Sequence, residues 1–284
     1  RRGNHSSDQI KIVEENKHIP STSSFTESKK TNLFIVLSAI FLTNAILAEL
    51  IGVKIFSAES LVGIPPAQID LFGFVLDFNL TAGVVIWPVV FITTDIINEY
   101  FGKDGVKRLS TLTAFLIAYI FVAIYFVTSL PPADFWMEIN GKMPDGTPFN
   151  INYAFSKIFL QGLGIILGSI FAFLISQFLD VYVFHFLRRF TGSKRIWVRA
   201  TGSTLVSQLI DSFVVLTIAF YVFGEWPFIQ VVSVGIINYI YKFVVAVVLT
   251  PLLYVAHGII DNYLGKELAD KMIQDASDSS DKVY

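Results

Sequence analysis

Ser176-Gln177-Phe178-Leu179-Asp180 recurs as Ser207-Gln208-Leu209-Ile210-Asp211, and both copies lie in apolar runs long enough to cross a bilayer. A Gln and an Asp three positions apart share one face of a helix. An ionised carboxylate in hydrocarbon is costly, so it is kept where it faces a partner, a cavity or a ligand. Two such faces on consecutive helices imply a polar site inside a membrane protein. That arrangement points to transport.

Composition agrees. Of 284 residues, 54% are hydrophobic and only 15% are charged, where a soluble domain carries roughly 25%. The charges crowd into the first thirty residues, the loops and the stretch after Leu264. A net charge of −2 gives no reason to expect nucleic acid as a partner. With no cysteine, disulfides, thiol nucleophiles and thiolate metal sites are excluded. The four histidines (His5, His18, His185 and His257) have no metal-ligand spacing. Neither a metal nor a cofactor is expected.

Hydropathy and the ~20 residues that a bilayer requires divide the chain into six spans, near 33–56, 80–101, 109–130, 154–187, 200–223 and 229–260. The fold class is therefore an all-α polytopic membrane protein with six transmembrane helices. The fourth span is too long to stand upright and must tilt or project. Residues 1–30 read as a disordered polar tail without the apolar core of a signal peptide. Residues 31–264 form the transporter domain and 265–284 a polar C-terminal tail. Lys29, Lys30, Lys103, Lys107, Arg108, Arg188, Arg189, Lys194, Arg195, Arg199, Lys266 and Lys271 all fall on one side of this topology, which predicts cytoplasmic termini. On the other side, residues 57–79 alternate Leu71, Phe74, Leu76 and Phe78, the pattern of a short hairpin. The loop 131–152, with Pro131, Pro132, Trp136 and Pro148, is placed as a cap.

Polar residues inside the spans are the candidate site. Asp95, Asn98 and Glu99 lie in the second span, and Gln161, Gln177 and Asp180 in the fourth. Gln208 and Asp211 lie in the fifth, Asn238 and Lys242 in the sixth. At ~1.5 Å of rise per residue, Asp95, Gln177, Asp180, Asp211, Asn238 and Lys242 are expected to converge at and just below the bilayer midplane, where many transporters hold cargo. Purely structural roles compete with this. Asp211 and Lys242 have the makings of a buried ion pair, and Gln177 with Asp180 those of a helix–helix hydrogen bond. Asn98 and Glu99 could mark a solvated helix end, and Glu49 sits near the outer interface. Trp87-Pro88 reads either as a kink with an aromatic plate or as a lipid-facing Trp. Gly164 and Gly168 form a close helix-packing face that also permits a homodimer.

At these residues the chain resembles the queuosine precursor transporter family, also described as vitamin uptake transporters. The resemblance is carried by Thr94-Asp95 with Phe101-Gly102, by Gln177 through Phe184 to Arg188, and by Gly202-Ser203-Thr204-Leu205 to Asp211 and on to Ile218-Ala219-Phe220. It continues through Asn238-Tyr239-Ile240-Tyr241-Lys242 to Pro251. It covers all six spans and leaves out the N-terminal tail. Members of the family vary at the positions of Glu99 and Asn238. The resemblance implies a multi-pass protein of the cell inner membrane that imports the 7-deazaguanine bases preQ0 and preQ1, small-molecule precursors of a modified tRNA wobble base.

Such a base offers two adjacent donors, the ring N–H and the exocyclic amine, which one carboxylate accepts in a bidentate pair. Its carbonyl needs a donor, which Gln, Asn or Lys supplies. The expectation is that Asp180 or Asp211 reads the donor edge, Gln177, Gln208 and Asn238 complete the bonds, and Lys242 balances the acids in the empty site. Asp95, Asn98 and Trp87 complete the candidate list. Two other transport readings stay open: an ion-coupled carrier of another small solute, and a subunit that borrows an external ATPase. The chain has no G-x-x-x-x-G-K-[ST] loop of its own. An intramembrane aspartyl protease is disfavoured because no G-x-G-D precedes Asp211.

Overall fold

The computed structural model describes residues 22–192 and 195–281. Its elements are helices α1 (Thr22–Ile51), α2 (Ala58–Val62), α3 (Trp87–Thr128), α4 (Asp134–Ile139), α5 (Ile151–Phe159), α6 (Leu163–Thr191), α7 (Ile196–Leu216), α8 (Phe228–Leu264) and α9 (Lys266–Asp281). Four short strands interrupt them: β1 (Ile55–Ser57), β2 (Ile69–Leu71), β3 (Phe74–Leu76) and β4 (Asn79–Thr81). Five helical stretches are long and apolar enough to cross a membrane: Thr26–Ile51, Trp87–Thr128, Ile151–Thr191, Ile196–Val222 and Phe228–Leu264. The chain is an all-α polytopic membrane protein in its spanning part.

α3 is not one straight rod. Gly102 has φ 71° and ψ −177°, a conformation open to glycine and outside the helical region. Thr94 and Ser110 hydroxyls both donate to Oε1 of Gln177, at 3.3 and 3.4 Å. In a straight helix those two residues would stand roughly 24 Å apart. The chain therefore doubles back at Gly102, and the two arms of α3 lie side by side. A Cβ on Gly105 would meet Ile97 at 3.4 Å, which confirms the close return.

Several expected boundaries shift for local reasons. α1 begins at Thr22, so residues 22–30 of the expected tail are helical, whereas residues 1–21 lie outside the described ones. α1 stops at Ile51, and residues 55–57 leave the first span to pair with β4. The second span starts at Trp87 rather than near 80, because Pro88 falls in the first turn, where its missing N–H costs nothing. Pro88 therefore starts a helix and does not kink one. The over-long fourth span is not a single helix: it breaks at residues 160–162 into α5 and α6. After Gly265, at φ 85°, the C-terminal stretch forms the amphipathic α9, which buries Ala269, Met272 and Ala276. Lys194 lies outside the described residues.

The alternating stretch 71–78 does form a hairpin, with β2 and β3 paired through Ile69–Leu76 and Leu71–Phe74. Phe72 and Gly73 both have positive φ, at 54° and 86°, the signature of a twist-matched two-residue turn. Around it, Glu59 is buried at 3% exposure and accepts hydrogen bonds from the Phe78 amide (2.7 Å), the Ser57 hydroxyl (3.0 Å) and the Ala67 amide (3.4 Å). The Phe78 amide is the main cause that holds its carboxyl below the usual carboxylate range. A depressed native pKa stabilises the cap above the unfolded value, and that contribution is lost as pH falls through the native one. The loop should stay closed from neutral pH down to about pH 4 and open below it. Glu59→Gln should expose the 57–81 amides at neutral pH. Hydrogen exchange checks this, and unchanged protection in the variant would count against the assignment.

The core is apolar and central. Phe41, Ile97 and Phe184 are fully buried where α1, α3 and α6 meet. α6 and α7 pack very closely, as the Gly164 and Gly168 pair anticipates. A Cβ at Gly164 would lie 2.5 Å from Cβ of Phe223, and one at Gly168 would lie 3.1 Å from the Val215 carbonyl. The facing backbone is wound as a π-helix over Thr217–Val222. Gly164→Val must push these elements apart, at a cost of about 1–3 kcal/mol. The expected result is a lower melting temperature of the purified protein in detergent.

Candidate functional site

The inner arm of α3, α7 and α8 enclose a cleft of about 630 Å³, its open mouth included. Helical spacing explains its lining. Trp87, Phe91 and Asp95 recur every four residues along one face of α3, as Thr201, Thr204 and Gln208 recur every three or four on α7. Tyr241 and Lys242 line it from α8. Most of the wall is apolar or aromatic. Trp87 stacks on Phe91 at 5.9 Å with the rings 21° from parallel, and also packs on Phe173 at 6.0 Å. Trp87 is therefore part of the wall of the cleft.

Polar groups are few and selectively satisfied. Asp95 is 5% exposed, and among the described residues its Oδ1 has no hydrogen-bond partner. Gln208, 3% exposed, likewise leaves Nε2 without one. Buried polar atoms are rarely left so, because each costs about 1–3 kcal/mol. Thr201 and Thr250 close the lower wall through a 2.9 Å hydroxyl–hydroxyl bond between α7 and α8. Lys242 donates to Asp211 at 2.5 Å, a pair that keeps about a fifth of each side chain exposed.

Of the nine residues singled out from the sequence, Trp87, Asp95, Gln208 and Lys242 line the cleft. Asp211 reaches it only through Lys242. Gln177 ties the two arms of α3 to α6 through Thr94 and Ser110, the helix–helix role that competed with cargo binding. Asp180 is 3% exposed and accepts from Ser207 at 3.2 Å, one layer behind the cleft. Asn98 is fully buried, one turn from Asp95, and neither of its amide atoms has a partner among the described residues. Asn238 is half-buried on α8, one turn from Lys242, and is not part of the wall.

The sequence reading passed over two features. Thr201, Thr204 and Tyr241 form polar walls, and their spacing with Gln208 and Lys242 was the available signal. Below the cleft, Glu99 is no solvated helix end. It is 1% exposed, and Arg199 grips it with Nε at 3.0 Å and Nη2 at 2.5 Å. Arg188 approaches it at 3.7 Å and donates to the Ile273 carbonyl of α9 at 2.7 Å. Arg188 and Arg199, counted above with the cytoplasmic loop charges, are thus inside the protein at 4% and 0% exposure. Beside them Tyr100 donates to Asp261 at 2.6 Å and lies 2.8 Å from Nδ1 of His257.

The chain matches the family described as "Putative vitamin uptake transporter" over residues 81–256. A Bacillus subtilis protein named "Probable queuosine precursor transporter" is 31% identical over 195 residues, spanning 68% of this chain and 77% of the relative. An Escherichia coli "Queuosine precursor transporter" is 27% identical over 206 residues, with 69% and 80% covered. A Haemophilus influenzae "Probable queuosine precursor transporter" is 26% identical over 194 residues, with 67% and 72% covered. No solved structure matches the chain. The matched segment contains the cleft and every candidate residue in it, and the chain belongs to the vitamin uptake transporter family, which includes the queuosine precursor transporters.

Proposed function

We propose that this chain imports 7-deazaguanine precursors of queuosine, preQ0 or preQ1, across the inner membrane of a bacterial cell. The names of the relatives support the cargo class. The observation that carries the reading to particular residues is the pair of unsatisfied buried atoms in the cleft, Asp95 Oδ1 and Gln208 Nε2. A carboxylate acceptor suits the two-donor edge of the base, and an amide donor suits its carbonyl. Trp87, Phe91 and Tyr241 provide flat walls for the ring. Lys242, neutralised by Asp211, supplies a further donor at the mouth. Asp180, Gln177, Asn98 and Asn238 support this shell from behind or from the side.

In this reading the two arms of α3 are separate spans. The chain then crosses the membrane six times with both termini in the cytoplasm. The Glu99–Arg199 pair sits on the cytoplasmic side of the cargo. The family description keeps a second reading alive, a vitamin-like heterocycle of the same size and polarity.

The test is queuosine in tRNA. Cells lacking precursor synthesis and their own importer, expressing this chain and fed nanomolar preQ0 or preQ1, should regain the modified nucleoside. Absence of recovery with the protein present in the membrane would overturn the queuosine reading and favour another heterocycle.

A further inference from the structure

Beneath the cleft, charge does not balance. Asp95, Asp180 and Glu99 bring three carboxylates, all at most 5% exposed. Arg199 and Arg188 bring two guanidiniums, 0% and 4% exposed. Guanidinium groups do not give up their protons in proteins, so with every acid ionised the cluster holds one excess negative charge. A net charge at this depth is costly unless something neutralises it.

Contacts show which acid lacks a counter-charge. Both oxygens of Glu99 are taken by Arg199, with Arg188 close to one of them. The remaining two acids stand on α3 and α6, helices tied together by the Thr94–Gln177 bond. Asp95 lies in the field of Asp180, Glu99 and Arg199. The Thr94–Gln177 bond holds their helices together one position from Asp95 and one turn from Asp180. Asp180 has a neutral partner in Ser207. Asp95 keeps Oδ1 without a partner, and the buried amide of Asn98 one turn away is also unpartnered. This is more than a clustering of acids, since the open atoms need a ligand.

The neighbours on other elements do not supply the missing charge. On α8, Lys242 is committed to Asp211 of α7, and Glu49 of α1, which lies in the field of Asp211, is an acid and supplies no cation. Tyr241 is neutral, and Tyr100 donates to Asp261 while its hydroxyl also meets Nδ1 of His257. His185 lies among Arg188, Lys103 and Lys107, further toward the end of the helices.

We propose that the Asp95–Asp180 pair binds one proton, taken from the outer aqueous phase and released inside with each uncharged base, so that import is proton-coupled. This rests on the importer reading above. With Asp95 engaged by the cargo, the proton resides on Asp180, and the loaded cluster is neutral. A proton added to this pair removes the excess charge without breaking an ion pair.

Purified protein in liposomes, with preQ0 as the uncharged probe, tests it. An acidic outside should raise preQ0 accumulation about tenfold per pH unit for one proton per base, and a pH dye should report proton entry on adding preQ0. Infrared spectra of the same protein without cargo should show a protonated carboxyl band that Asp95→Asn or Asp180→Asn removes. PreQ0 exchange that ignores the gradient and moves no protons would overturn the coupling while leaving the importer reading intact. No preQ0 exchange by the wild type would overturn the importer reading. The proton site would then stand or fall on the infrared band, and a spectrum unchanged in both variants would overturn it.

Discussion

Asp95→Asn should lower preQ0 uptake by about 100-fold or more, with the protein still present in the membrane at wild-type levels. The substitution keeps volume and removes the charge, and it turns one acceptor into a donor aimed at the donor edge of the base. Two charge-assisted bonds are lost, each worth about 1.5–3 kcal/mol, and every 1.4 kcal/mol is roughly tenfold. The residue lines the cleft, is buried, and leaves Oδ1 without a partner among the described residues. Fold stability should change little, since no ion pair to Asp95 is broken. Uptake by the variant within a few-fold of wild type would remove Asp95 from the site and return the choice to Asp180 or Asp211.

The second large effect concerns stability. Glu99→Ala leaves the buried Arg199 guanidinium without its carboxylate, and Arg188 loses the same partner. Breaking a buried pair by removing one member costs about 3–5 kcal/mol, enough to take much of a membrane protein from the folded pool. The expected result is a sharp fall in yield and in melting temperature in detergent. Replacing both partners by apolar residues, Glu99→Leu with Arg199→Met, should recover much of that loss, because the desolvation cost disappears with the charges. Recovery of stability without recovery of transport would assign the pair to the transport cycle. A Glu99→Ala protein as stable as wild type would show that Glu99 is not held as described.

The 57–81 loop and the close α6–α7 contact belong to the frame around these two residues. Glu59 organises the cap from loop backbone amides, and Gly164 lets α6 lie against the π turn of α7. Neither touches the cleft. Their substitutions therefore test the frame separately from the cargo site.

The sequence exposed, through its hydropathy, the membrane class and the set of polar residues inside the apolar runs, because burying charge in hydrocarbon is so costly. It also made legible the hairpin at 69–76 and the tight glycine face at 164 and 168, each a local pattern with a fixed period. It could not say which acid is open and which is engaged. Asp95, Asp180 and Asp211 look alike in one dimension. Their differences arise from Ser207, Lys242 and the reversal at Gly102, contacts between residues far apart in the chain. Arg199 shows the same limit. As a loop residue it counts toward orientation, yet the packing of α7 against α3 carries it inside to Glu99. A linear pattern records the cost of a buried charge, and only the tertiary structure shows which partner offsets it.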